Sequence, residues 1–157
     1  MRVGIGYDIH RFQEGRRLLL GGVEIECEKG LGGHSDADVL LHAIIDALLG
    51  AAGLSDIGHL FPSDDPTLAG ADSRELLART MQLIRPLGYA VGNVDATVIA
   101  ERPRLAPYIK AMRQRIAATL GTDESRVSVK ATTNEGLGDI GRGEAIAALA
   151  VALLVPR

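Results

Sequence analysis

This chain is poor in cysteine and aromatics. It has one cysteine, Cys27, no tryptophan, two phenylalanines and three tyrosines. A single thiol cannot close an internal disulfide, so a covalent framework of the secreted kind is excluded. The shortage of aromatics argues against stacking platforms for single-stranded nucleic acid. Basic clusters are missing too. The formal net charge is −3, with no basic block or tail, which argues against nucleic-acid binding through phosphate contacts. The longest uncharged apolar run, Ala145 to Val155, is too short for a membrane-spanning helix. Met1 to Gly6 lacks the apolar stretch of a signal peptide. These absences predict a cytoplasmic protein with neither nucleic acid nor membrane as partner.

What remains is aliphatic. Hydrophobic residues make up 46% of 157 residues, enough for a single-domain core built from Val, Ile, Leu and Ala. Glycines cluster between apolar segments and punctuate them. Arg2 to Tyr7 reads as a strand ending at Asp8. Leu18–Leu20 and Val23–Ile25 flank Gly21-Gly22 as a hairpin. Gly30 to His34 reads as loop, and a helix is expected from about Ser35 to Leu49. A polar loop covers Ser55 to Gly70, and Asp72 or Ser73 caps a second helix through Ile84. Alternation marks strands around Val94–Val98 and Val127–Ala131. Leu105 to Leu120 has the spacing of an amphipathic helix ended by Gly121. Ala145 to Leu154 fits either helix or buried strand. The order of elements suggests helices on one or both faces of a mixed sheet.

Four constellations could carry chemistry. In Asp8-Ile9-His10 a carboxylate and an imidazole share one side of a strand, and His42 lies in an otherwise apolar helix. Two histidines and a carboxylate would leave an open position on a zinc ion, as catalytic sites do. Asp38 or Asp46, a turn either side of His42, could orient its ring. A strand-end turn and a satisfied core histidine are the competing readings. Second, Gly32-Gly33-His34-Ser35-Asp36-Ala37-Asp38 has capping-box spacing and could offer free N–H groups to an anion, or be a helix cap alone. Third, Lys130 to Gly136 places two hydroxyls and Glu135 after a strand, suited to phosphate and a hard cation or to a polar turn. Fourth, Asp56 to Asp65 forms a long polar loop, either surface cover or a lid, with His59 read as a solvated side chain. No nucleophile elbow is present, and Cys27 has no marked activating neighbour.

Together and in this order, GYDIHRF, GGHSDADVLLHAIIDALLGA, SDIGHLFPSDDP followed by GADS, and VKATTNEGLG followed by GRGEAIA strongly resemble the 2-C-methyl-D-erythritol 2,4-cyclodiphosphate synthase family of the non-mevalonate isoprenoid pathway. The likeness spans almost the whole chain. It implies one α+β domain over residues 1–157, a two-layer sandwich with helices on one face of a mixed sheet, assembled as a homotrimer with active sites between subunits. It implies a phosphorus–oxygen lyase that cyclises 4-diphosphocytidyl-2-C-methyl-D-erythritol 2-phosphate and releases CMP. Asp8, His10 and His42 match the family's zinc ligands, and Glu135 matches the ligand of a second ion, Mg²⁺ or Mn²⁺. His34 and Thr133 match transition-state stabilisers.

The same likeness implies that Asp8, His10 and His34 also touch the substrate, and that Ser35, Asp56, Ile57, Gly58, Phe61, Pro62, Ser63, Asp64 and Asp65 hold its methylerythritol phosphate side. Ala100, Glu101, Arg102, Pro103, Arg104, Leu105 and Ala106, with Ala131, Thr132 and Thr133, match the cytidine diphosphate side, and Asn134, Glu135, Asp139 and Arg142 count among the further substrate contacts the likeness implies. Two positions depart from the pattern. Ser63 stands where an Asp is common, so a contact to the sugar diol is weakened or moved to Asp65. Asp139 stands where an aromatic often lines a central trimer cavity that takes an isoprenoid diphosphate in some relatives, held partly by the match of Arg142. A metal-dependent phosphohydrolase and a non-catalytic metal-binding trimer are the alternative readings.

Overall fold

A computed structural model describes all of residues 1–157. Strand β1 (Arg2–Gln13) is longer than expected. It does not stop at Asp8 because its backbone stays paired from Arg2 to Arg11 with the last strand, and then at Phe12 and Gln13 with a short strand. Asp8 and His10 therefore sit mid-strand, and the strand-end turn is excluded. Strands β2 (Leu18–Leu20) and β3 (Val23–Ile25) form the expected hairpin. Gly21 and Gly22 have φ of +60° and +73°, as a two-residue turn with two left-handed positions requires. The segment expected as loop opens with β4 (Gly30–Leu31).

Helix α1 (Val39–Ala52) does not begin near Ser35. Ala37 has φ +56°, which breaks any helical path before Asp38, and Asp38 is the cap, accepting from the Leu41 N–H. The polar loop contains a short helix, α2 (Ile57–Leu60), and a 3-10 turn at Pro66–Leu68. Helix α3 (Ser73–Ile84) follows its Asp72 cap as expected. Strand β5 (Tyr89–Ile99), helix α4 (Ile109–Leu120), strand β6 (Val127–Thr132), the short helix α5 (Gly138–Gly141) and strand β7 (Ala145–Pro156) complete the chain. The alanine-rich end is thus strand. As a middle strand it pairs on both sides, and Ala148, Ala150 and Ala152 are buried on the helix side. Tertiary pairing overrides the helix preference of alanine.

The main sheet runs β4-β1-β7-β5-β6, with β5 and β6 parallel and the other pairs antiparallel. Helices pack on one face, giving the α+β two-layer arrangement. On the other face Val3 and Ile5 are 68% and 66% exposed, and Tyr7, Ile9, Leu149 and Val151 are also exposed. An apolar sheet face of this kind is normally covered by another surface.

Helix α1 lies directly on the backbone of β1. A Cβ on Gly4 would stand 2.0 Å from the carbonyl oxygen of Ala47, and one on Gly6 would stand 1.9 Å from that of Ala43. No side chain fits there. Gly6→Ala is expected to lower stability by at least about 1–3 kcal/mol through overpacking against backbone. Gly50→Ala, where the nearest atom to an added Cβ is 3.9 Å away, should raise it by about 0.5–1 kcal/mol. Urea denaturation tests both, and a Gly6→Ala protein as stable as wild type would contradict the packing argument.

Candidate metal centre and the segments around it

Alternation along β1 sends Gly4, Gly6, Asp8 and His10 to one face, toward α1. The glycines let the helix seat, and just past them Asp8 and His10 meet His42 in the first turns of α1. The Asp8 Oδ2 atom is 2.9 Å from His10 Nε2 and 3.0 Å from His42 Nδ1, and the two ring nitrogens are 3.2 Å apart. A tetrahedral zinc ion bound at about 2.0–2.1 Å has ligand atoms about 3.3 Å apart, so this triangle is one face of such a site. The donor set fits zinc, with a fourth position left open. No other three His, Cys, Asp or Glu side chains bring ligand atoms this close together.

Electrostatics ties the three together. Burial alone would raise the pKa of Asp8, but hydrogen bonds with His10 and His42 bring it down to about 2. Burial would depress His10, yet its hydrogen bond and attraction to Asp8 outweigh this and raise its pKa above the ordinary histidine value. Both shifts describe an ionised carboxylate that favours positive charge beside it, where a cation would sit.

Neither acid expected to orient His42 does so. Asp38 is fully buried and turns away, accepting from the Gly21, Gly22 and Leu41 N–H groups. Burial pushes its pKa up to about 6 against those three bonds. Asp46 accepts from the Ile57 N–H at 2.7 Å and so anchors α2. The far nitrogen of His42, Nε2, instead meets Ser73 Oγ at 2.9 Å and Ser35 Oγ at 3.1 Å. Ser73 was legible only as a helix cap, and its place beside His42 is visible only in the fold. Of the two readings of Gly32 to Asp38, anion cradle or helix cap, the structure shows a cap, with Asp38 and not Ser35 as the capping residue. Arg16 braces the segment before α1 by donating to the carbonyls of Gly33 and Ser35.

The metal triangle opens on a cavity of about 510 Å³. His34, Ser35, Ile57, Gly58, Phe61, Pro62, Ser63 and Asp64 line it with Leu68. His34 Nε2 lies 2.7 Å from the Asp65 carbonyl and ties this wall to the start of the helix. The Asp56 and Asp65 carboxylates are spent on the loop itself, accepting from the His59 and Thr67 N–H groups. His59 is exposed, as expected.

The remaining candidates gather elsewhere. The Ala100 N–H donates to the Thr132 carbonyl at 2.9 Å, joining the ends of β5 and β6. Glu101 accepts from the Asn134 and Gly136 N–H groups and holds the loop that carries Thr133 and Glu135, both exposed. Arg102, Arg104 and Ala106 are exposed, whereas Leu105 is in the core. The register Ile9↔Ala147↔Ile99↔Thr132 puts both groups level across the sheet. Three strand spacings separate them, about 14 Å. Within one chain Glu135 and Thr133 do not join the metal triangle. Arg142 is paired with Asp139 and with Glu144, while Ile9, Arg11 and Asp139 border a separate hollow of about 240 Å³.

The chain is similar to known proteins over almost its whole length. The YgbB family model matches residues 1–155. A protein of Trichlorobacter lovleyi named 2-C-methyl-D-erythritol 2,4-cyclodiphosphate synthase is 60% identical over 157 residues, covering all of both chains. One of the same name from Thermosynechococcus vestitus is 61% identical, covering 98% of this chain and 96% of its own. Among solved structures, an IspF–CDP complex from Plasmodium falciparum superposes with a TM-score of 0.87 at 41% identity, covering 99% of this chain and 96% of that one. The bifunctional IspDF of Campylobacter jejuni gives 0.96 at 47% identity, covering 99% of this chain and 42% of its own.

Zinc should bind the metal-free protein with release of protons, because His10 holds its proton above the ordinary range and the ligand form is neutral. Affinity should therefore fall as pH drops from about 8 to about 6. Calorimetry in buffers of different ionisation enthalpy measures both effects, and a pH-independent affinity would contradict the assignment.

Proposed function

The chain belongs to the YgbB family, and from that premise we propose that it converts 4-diphosphocytidyl-2-C-methyl-D-erythritol 2-phosphate to 2-C-methyl-D-erythritol 2,4-cyclodiphosphate and CMP in the cytoplasm. The observation that carries the reading is the Asp8–His10–His42 triangle opening onto the loop cavity, in a chain about 60% identical to proteins of that name. No helix is long and apolar enough to cross a membrane.

In this reaction an oxygen of the 2-phosphate attacks the β-phosphorus. The bond from that phosphorus to the bridging oxygen breaks, and CMP leaves with the oxygen and its charge, as a phosphorus–oxygen lyase requires. The nucleophile is already anionic, so no protein base or nucleophile is needed. Zinc held by Asp8, His10 and His42, and Mg²⁺ or Mn²⁺ held by Glu135 with the substrate diphosphate, supply charge neutralisation when bound. His34, on the cavity wall, and Thr133 donate to phosphate oxygens as charge develops. Ser35 and the loop from Asp56 to Asp65 hold the methylerythritol phosphate. Ala100 to Ala106 and Ala131 to Thr133 hold the cytidine diphosphate. The folding of the substrate onto itself supplies the rest, since positioning alone is worth on the order of 7–11 kcal/mol.

The active unit is a homotrimer. Two observations support it: the apolar sheet face of β1 and β7, and the separation of the two halves of the site across one sheet. A heterologous ring brings the metal half of one chain to the Thr133–Glu135 half of its neighbour.

Purified protein should release CMP with a cyclic diphosphate as co-product, and His42→Ala should abolish it. Thr133→Val should lower kcat by about 10²–10³-fold, the cost of one lost oxyanion donor. An open monophosphate product would indicate a phosphohydrolase, and zinc content without CMP release a metal-binding module. Either result, or a monomer in sedimentation at working concentration, would overturn the proposal.

A further inference from the structure

We propose that Ser73, held by Asp36, is the positioning residue that fixes His42 as a metal ligand, which frees the neighbouring hydroxyl of Ser35 for the substrate. The inference rests on the zinc role of Asp8, His10 and His42. His42 turns Nδ1 to the triangle, so as a ligand it must carry its proton on Nε2. That N–H needs an acceptor, and two serine oxygens are within reach: Ser73 at 2.9 Å and Ser35 at 3.1 Å.

The two hydroxyls are not equivalent. Ser73 is completely buried at the start of α3, and its hydroxyl donates to Asp36 Oδ1 in a short hydrogen bond. Its backbone N–H donates to the other oxygen of the same carboxylate at 2.9 Å. Asp36 Oδ1 also accepts from the Asp38 N–H, so the carboxylate cannot turn. With its proton committed to Asp36, Ser73 can present only a lone pair to His42 Nε2. The order carboxylate–hydroxyl–imidazole is the arrangement that sets a ligand's tautomer and basicity from behind. Ser35 is different. It lines the cavity, its oxygen accepts from the Ala37 N–H at 3.3 Å, and its own proton faces no protein acceptor other than His42. Once Nε2–H points to Ser73, the Ser35 proton is available to a phosphate oxygen in the cavity.

The test separates zinc affinity from turnover. In competition with a chromophoric chelator, Ser73→Ala should bind zinc about 10–100-fold more weakly, as loss of such a partner does. Ser73→Thr, which keeps the hydroxyl, should recover most of that affinity. Ser35→Ala should keep zinc affinity within about two-fold and raise KM for the substrate. With wild-type zinc-loaded protein, histidine ¹⁵N spectra should show His42 protonated at Nε2, a readout that needs no variant to fold. Unchanged zinc affinity in Ser73→Ala, its loss in Ser35→Ala instead, or an unprotonated His42 Nε2 would overturn the assignment. Wild-type protein that binds zinc this way but releases no CMP would refute the proposed reaction and leave the role of Ser73 standing.

Discussion

The contact between α1 and the bare backbone of β1 is the constraint on which the site depends. Because Gly4 and Gly6 have no side chains, the helix sits within van der Waals reach of the strand's peptide groups. That distance decides how far His42 stands from Asp8 and His10, the next residues on the same strand face. A helix held at the usual distance by side chains would leave the three ligand atoms too far apart to share an ion. The metal triangle is thus set by two atoms that are absent, with the small residues Ala43 and Ala47 opposite them.

The hairpin and α3 are tied to the same helix by polar groups. Asp38 joins the Gly21-Gly22 turn to the first turn of α1 through three backbone N–H bonds, and these keep a fully buried carboxylate usable despite a pKa near 6. Asp36 does the same for the start of α3. Two aspartates that look in sequence like a helix-opening run are in the fold the clamps between separate elements. No buried side-chain polar atom lacks a partner, as such a densely tied region requires.

Much of this was legible in the chain itself. The i, i+2 pair at Asp8 and His10 follows from strand alternation, and a histidine in a helix of leucine and isoleucine invites a special role. The helix at Ser73–Ile84 follows its Asp72 cap, and the helix expected from Leu105 ends at Gly121 as read but starts only at Ile109, after a 3-10 turn at Ala106–Tyr108. Three features were hidden. The continuation of β1 past Asp8 depends on pairing with β7, a strand whose alanines suggest a helix. The start of α1 depends on a left-handed Ala37, which no local preference announces. The orienting of His42 depends on Ser73, which its neighbours mark only as a cap. In each case a long-range contact outweighs a local signal. The distance between the candidate metal ligands and Glu135 was likewise invisible, because it is a property of strand order.

That strand order has a further consequence. The two halves of the proposed site lie at opposite ends of one row of paired residues, with β7 and β5 fixed between them. In the proposed ring a site belongs to a contact between chains and not to a chain. A subunit with a ruined metal half spoils one contact of the ring and still lends its other half to a neighbour. A subunit ruined at Thr133 does the converse. Two chains that are each inert alone can therefore share one intact contact when mixed, so the inheritance of defects in such a protein is graded and complementable.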